Sequence, residues 1–226
     1  MQYERVVKGR FLSRPNRFIA HVETEGRVEV CHVKNTGRCR ELLVPGAAVY
    51  LSEAENPLRK TRYDLVAVEK GTRLINMDAA APNRVFGEWA AAGGLGAVPE
   101  KLRPEVVFED SRFDFRLEMK GKVRFVEVKG VTLEEEGEVR FPDAPTERGV
   151  KHLKGLRRAV EAGFGATVFF VVQMENVSCF RPNDATHPAF GQALREAAAQ
   201  GVQVMAYDCR VTPESMVIRA PVRVVL

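Results

Sequence analysis

Over the first 75 residues, apolar and polar side chains alternate in short runs. Segments 6–12, 17–23, 27–33, 47–52 and 63–70 are rich in β-branched or alternating apolar residues, the pattern of strands with one face toward a core. Turn formers separate them at Arg14-Pro15-Asn16, Glu25-Gly26, Asn35-Thr36-Gly37, Pro45-Gly46 and Asn56-Pro57. Five short strands in so little chain predict a small closed barrel, with the OB-fold as the simplest candidate.

The period then changes. Residues 76–83 read as a linker into a helix capped by Asn83, with Val85, Trp89 and Ala92 as its apolar stripe and Gly93-Gly94 as its stop. Strands are expected over 105–109, 112–118 and 122–129. A helix follows over 146–162: Thr146 can cap it, Val150, Leu153, Leu156 and Val160 form its buried stripe, and Gly163 ends it. An apolar strand (167–173), an alanine-rich helix (188–200) and a strand (202–207) complete the pattern, and segment 219–226 offers an edge strand for pairing. The expectation is a mixed α/β chain: an OB-like barrel over residues 1–80, then an α/β domain over 81–226 whose helices cover a mixed sheet.

Composition adds limits. A hydrophobic share of 45% supports a packed core rather than disorder. Apolar runs such as 168–172 are too short to span a bilayer, and Met1-Gln2-Tyr3-Glu4-Arg5 shows no cationic stretch leading into an apolar one. A cytoplasmic location with no membrane partner is therefore expected. Cys31, Cys39, Cys179 and Cys209 include no Cys-x-x-Cys pair and, with His21, His32, His152 and His187, complete no zinc pattern, so reduced buried thiols are expected.

Charge is unevenly spread. Residues 1–82 hold 14 of the 34 Lys and Arg and 10 of the 30 Asp and Glu, leaving 20 of each sign for the rest. The whole excess of +4 thus sits on the barrel, which points to a polyanion partner, with a plain solvated basic surface as the competing reading. Lys8, Arg10, Arg14 and Arg17 cluster at the first turn beside Phe11 and Phe18, while Lys34, Arg38 and Arg40 flank a glycine turn. Arg10, Arg14, Arg17, Lys34 and Arg38 are the candidate nucleic-acid contacts in this part of the chain.

The candidate chemistry lies in segments 112–118 and 123–129, which can close as a hairpin through Gly121. If Glu118 pairs with Val123, Asp114 falls directly opposite Glu127, on one face, with Cβ atoms roughly 5 Å apart. Two carboxylates so opposed, among Phe113, Phe115, Phe125, Val126 and Val128, repel unless a divalent cation joins them, and oxygen ligands favour Mg2+ or Mn2+. Lys129 would share that face roughly 7 Å along the strand, where it can orient or deprotonate an attacking water. A solvent-facing Glu-x-Lys pair, and an Asp114 paired with Arg112 or Arg116, remain open alternatives.

Asp114 followed by Glu127-Val128-Lys129, between a leading and a trailing helix, resembles the PD-(D/E)XK nuclease core, with Phe113 where the motif name has proline. More specifically, the chain resembles the sugar fermentation stimulation protein (SfsA) family over essentially its whole length. The resembling segments are Lys34-Asn35-Thr36-Gly37-Arg38, residues 41–46, Ser111-Arg112-Phe113-Asp114-Phe115, residues 126–132, residues 141–149 and His152-Leu153. The resemblance implies an OB-like N-terminal domain, a nuclease-like C-terminal domain, DNA binding and a link to maltose metabolism.

The favoured reading is a magnesium-dependent phosphodiesterase acting on DNA, with RNA as the other substrate. In it Asp114, Glu127 and the Val128 carbonyl hold the metal, Lys129 serves the water, and Glu88 is a candidate third acid. Arg148 and Lys151, at the start of the second helix, are candidate phosphate contacts. His152 and Gln173 are placed near the site, each with a purely structural role as the competing reading, and Glu134-Glu135-Glu136 reads as a solvated loop. The alternative is a non-catalytic DNA-binding regulator of sugar metabolism genes on the same scaffold. A sugar-binding regulator is a weaker third.

Overall fold

Strands β1 (Val6–Asn16), β2 (Ile19–Thr24) and β3 (Arg27–Val33) form an antiparallel meander in the computed structural model, which describes residues 1–226 except Thr36, Glu55 and Pro57. The expected turns at Asn35-Thr36-Gly37 and Asn56-Pro57 therefore fall partly outside the described residues. Strand β4 (Ala48–Glu53) returns to pair with β1, and β5 (Tyr63–Lys70) pairs with β4 on one side and, in parallel, with β3 on the other. That last pairing closes the ring. The period-two pattern sends Phe11, Ala20, Val22, Cys31, Val49, Leu51 and Leu65 inward, and closure leaves no open edge among the five strands. Irregularities in the β1–β2 ladder on either side of Ser13 bend β1 around the barrel. A short β6 (Arg73–Asn76) hairpins back on β5, inside what reads in sequence as the approach to a linker.

The second unit opens with α1 (Ala81–Ala91), β7 (Lys101–Phe108), β8 (Ser111–Met119) and β9 (Lys122–Val131). Then come β10 (Leu133–Glu135), β11 (Glu138–Phe141), α2 (Glu147–Glu161), β12 (Gly165–Val172), β13 (Cys179–Pro182) and α3 (Pro188–Ala199). The chain ends with β14 (Gln203–Thr212), β15 (Ser215–Pro221) and β16 (Arg223–Val224). The central sheet runs β15-β14-β12-β9-β8-β7, parallel across β9, β12 and β14 and antiparallel at both edges. A smaller sheet, β10-β11-β13-β16, stands beside it.

Helix α1 covers one face of the central sheet, where the Phe86 ring lies 5.1 Å from Phe115 and 4.8 Å from Phe169. Helix α2 covers the other, burying Leu153, Leu156 and Ala159 in a cluster with Phe113, Phe125, Val168 and Phe170. Being buried on both faces, β12 reads as a continuous apolar run. The expected edge strand at 219–226 is divided: residues up to Pro221 complete β15, and Arg223–Val224 pairs with β13.

Three expectations are corrected. Asn83 is not a helix cap, because α1 starts at Ala81 with Pro82 in its first turn and the Ala80 N–H bonds to Asp78 Oδ1 at 2.9 Å. Residues 1–3 do not belong to the barrel. The Met1 ammonium sits on Glu88 Oε2 (2.6 Å) and the Met216 carbonyl (2.9 Å), and the Tyr3 N–H donates to the Glu214 carbonyl at 2.7 Å. Glu134 is buried rather than solvated, bound to Lys70 of the barrel at 2.8 Å. All four cysteines are buried and free, and among the described residues no helix is long and apolar enough to cross a membrane.

Candidate functional site

The β8–β9 hairpin turns at Lys120 and Gly121, both at positive φ (51° and 70°), the conformation a two-residue turn needs. Its register is the expected one: Met119 pairs with Lys122, Glu118 with Val123 and Phe115 with Val126. One pair further on, Asp114 and Glu127 do not continue the ladder. Phe115 packs under α1 against Phe86, whereas Phe113, two residues away, packs under α2, its ring 5.6 Å from Phe125 and 6.2 Å from His152. A regular strand would send both to one face, so the alternation breaks at Asp114. Strand β7 breaks beside it: Glu105 has φ +51° and sits out of the ladder between Pro104–Phe115 and Val106–Phe113.

Asp114 and Glu127 are therefore neighbours but not face-to-face partners, which corrects the expected geometry. The Asp114 carboxylate reaches to the edge of β9 and accepts the Val128 N–H at 2.7 Å, the bond a continued ladder would have given to backbone. Its other oxygen accepts Asn83 Nδ2 from α1 at 2.9 Å. Burial pushes the Asp114 carboxyl up from its usual range, and the Glu127 charge pushes it further.

Glu127 is turned toward α2 and is 2% exposed. Its Oε1 accepts Lys129 Nζ at 2.6 Å and the Nδ1 of His152. Burial alone would raise the Glu127 carboxyl, but His152 and Lys129 outweigh it and hold the group below its usual value. The second oxygen, Oε2, is buried and has no hydrogen-bond partner among the described residues. A carboxylate oxygen so placed has acceptor capacity for one further ligand. Close packing sets the surroundings. A Cβ at Gly130 would stand 2.4 Å from Gln173 Oε1 and 2.7 Å from Pro82, so only glycine lets β9 pass here.

His152 had a structural role as its competing reading; it lies on α2 between Glu127 and Arg148, whose Nε is 3.4 Å from Nε2. The i, i+4 spacing of Arg148 and His152 is the sequence signal for that contact. Asn83, read as a cap, was missed altogether. Glu88 is not brought to the site, being held by the Met1 ammonium and by Arg84 (3.4 Å). Among the described residues no group of three or more His, Cys, Asp or Glu is arranged to hold a metal, so any ion here rests on Asp114, Glu127 and backbone oxygen such as the Val128 carbonyl. Gln173 is 2% exposed, and its amide nitrogen donates to Asn76 and Asp78 at the junction of the two units, a structural role.

The expected nucleic-acid contacts divide. Arg10 pairs with Glu23, Lys34 with Asp78 (2.8 Å) and Lys151 with Asp110 (3.4 Å). Arg14 turns inward and donates to the Arg38, Arg17 and Asn35 carbonyls at 2.7–2.8 Å, tying the first turn to the loop after β3. Arg17, Arg38 and Arg148 are exposed and form no ion pair among the described residues, and Arg40 joins them.

Residues 12–77 match the family model described as the SfsA N-terminal OB domain, and residues 80–215 the one described as the sugar fermentation stimulation protein RE domain. The chain is 57% identical to the sugar fermentation stimulation protein homolog of Desulfitobacterium hafniense (strain Y51), over 96% of this chain and 94% of that one. It is 51% identical to the homolog of Clostridium beijerinckii over the full length of both. Among solved structures, SfsA of Pyrococcus furiosus in complex with Ca2+ is 28% identical and superposes with a TM-score of 0.90 over 100% of this chain and 98% of that one. With both units matched in order and close relatives spanning its length, the chain belongs to the sugar fermentation stimulation protein family.

Proposed function

We propose that this protein is a divalent-cation-dependent phosphodiesterase acting on nucleic acid. One observation carries the reading: the buried Glu127 Oε2, without a partner among the described residues, lies near enough to a second, part-buried carboxylate, Asp114, for its charge to add to burial in favouring that group's protonation. Both features are relieved by a dication, and a Mg2+ or Mn2+ ion keeps several waters, so it needs only one or two carboxylates from the protein. The similar SfsA of Pyrococcus furiosus is described in complex with Ca2+, another cation that takes oxygen ligands.

Asp114 and Glu127, with the Val128 carbonyl, would hold the ion, which when bound polarises a phosphoryl oxygen and acidifies a water. His152 and Lys129 engage Glu127 Oε1, which leaves Oε2 for that ligand. Asn83 fixes Asp114 from α1. The Lys129 side chain is 19% exposed against 7% for His152, so of the two groups on Glu127 Oε1 its ammonium is the one that can orient a water or meet charge on phosphate.

Labelled single- and double-stranded DNA and RNA incubated with Mg2+, Mn2+ or chelator tests the proposal. Cleavage should need the metal and fall by about 10²–10⁴-fold in Lys129→Ala, the span of a general acid–base group, while binding persists. Cleavage that survives the lysine change would end it. The regulator reading is favoured by the lack, among the described residues, of three or more His, Cys, Asp or Glu side chains arranged to hold a metal; it predicts binding without cleavage under every condition.

A further inference from the structure

The barrel's cations are mostly neutralised by neighbouring acids. Arg5, Lys8, Arg10, Lys34, Arg59, Arg62, Lys70 and Arg73 each have an acidic partner. Of the cations without one among the described residues, Arg14, Arg17, Arg38 and Arg40 line a single hollow of about 460 Å³ between the β1–β2 turn and the loop after β3. Arg14 is consumed in holding the walls together, so the open charge is that of Arg17, Arg38 and Arg40.

Next to Arg17, which lines the hollow, is Phe18, the most exposed phenylalanine among the described residues at 50%, with the Arg17 guanidinium 5.7 Å from its ring centre. Local bonding fixes the turn that carries it: Asn16 Oδ1 accepts the N–H of Phe18 (2.9 Å) and of Ile19 (3.0 Å). The hollow shares Gly37 and Ala144 with a second, of about 330 Å³, that runs between the units past Pro82, Gly130 and Thr146. Gly130 directly follows Lys129. Glycine keeps the shared wall open, since a Cβ at Gly37 would lie 2.7 Å from Asp143 Oδ2.

We infer that these two hollows form one channel for a single, unpaired nucleic-acid strand, with a base stacked on Phe18 and phosphates on Arg17, Arg38 and Arg40, leading to the Asp114–Glu127 site. The inference rests on the nucleic-acid reading above and narrows its substrate. Phosphates alone would not discriminate, because a duplex presents them too. The ring does: base faces are enclosed in a duplex and are available to an aromatic platform only when unpaired.

Fluorescence anisotropy of the whole protein, in chelator so that nothing is cut, with a labelled DNA strand, the matching RNA strand and the blunt DNA duplex, tests this. The single strands should bind at least about tenfold tighter than the duplex. Phe18→Ala should weaken single-strand binding by roughly 5- to 150-fold, the range for one stacked base, without changing its salt slope. Arg17→Ala and Arg38→Ala should each flatten that slope by about 0.7, the value for one phosphate contact on a single strand. Duplex binding as tight as single-strand binding, or a Phe18→Ala protein that binds both alike to wild type, would overturn the channel. Single-strand preference without cleavage in Mg2+ would leave the channel standing and remove the phosphodiesterase. Metal-dependent cleavage without the preference would do the reverse.

Discussion

Burial raises the Asp114 carboxyl, and the Glu127 charge adds to it, so the fold favours the protonated form. Between the unfolded value and the raised folded value, the native protein holds a proton that the unfolded chain has released. The residue's contribution to stability therefore falls as pH rises through that window, and the ionised group is a net burden at neutral pH. Asp114→Asn removes that burden, while its amide oxygen can still accept the Val128 N–H. In chelator at pH 7 its melting temperature should rise, by about 2–4 °C for each kcal/mol relieved in a chain of this length. The gain should shrink as the pH is lowered through the window, and the upward shift that Mg2+ gives the wild type should vanish. A melting temperature below wild type would show that the bonds from Asn83 and Val128, not the charge, govern this position.

At the scale of elements, the site depends on how near α2 rides to β8. A Cβ on Gly155 would fall 2.6 Å from Ser111 Oγ and 3.1 Å from Phe113, so the helix can sit this low only with glycine there. His152 is one turn earlier on the same helix. Gly155→Val should lift α2, destabilise the protein by about 1–3 kcal/mol as overpacking does, and draw His152 off Glu127. The second effect is read as weaker Mg2+ binding in calorimetry on the still-folded variant; unchanged affinity would separate helix seating from the site. The hairpin register was legible beforehand because Gly121 admits one turn and the alternating apolar positions admit one pairing. The break at Asp114 was not. Phe113 and Phe115 are both apolar and both buried, so a pattern that records only hydrophobicity looks the same whether they share a face or not. The barrel strands were legible from their periodicity, whereas β10, β11, β13 and β16, two to four residues each, are shorter than any period can register. Charge was equally partial evidence. Arg14 and Arg17 look alike in sequence, yet one is spent on three carbonyls and the other is exposed.

For the molecule as a whole, the channel exists only while the barrel stays docked on the second unit, and one buried acid takes part in that docking. Glu134 of β10 meets Lys70 of β5 at 2.8 Å and Arg73 of β6 at 3.6 Å, and its Oε1 also accepts the Gly137 N–H at 2.7 Å. Arg73 extends the contact through the Glu175 and Asn176 carbonyls, each at 2.9 Å. Burial alone would raise the Glu134 carboxyl; the Lys70 ammonium, the Gly137 N–H and Arg73 together overcome it and hold the group below its usual range. A depressed folded value means stability that is present above the unfolded value and lost as pH falls through the folded one. Chemical denaturation followed from pH 7 downward should show the wild type losing this contribution on the acid side. Glu134→Gln should already be weaker at pH 7, by about 1–3 kcal/mol for a charged hydrogen-bonding group left without its partner. Its stability should be flatter across the same interval, so that the two curves converge in acid. Because the variant leaves Asp114, Glu127 and Lys129 untouched, it should also loosen single-strand binding at pH 7 while leaving the Mg2+ affinity of the site unchanged. Parallel curves that never converge would locate the pH dependence elsewhere in the fold.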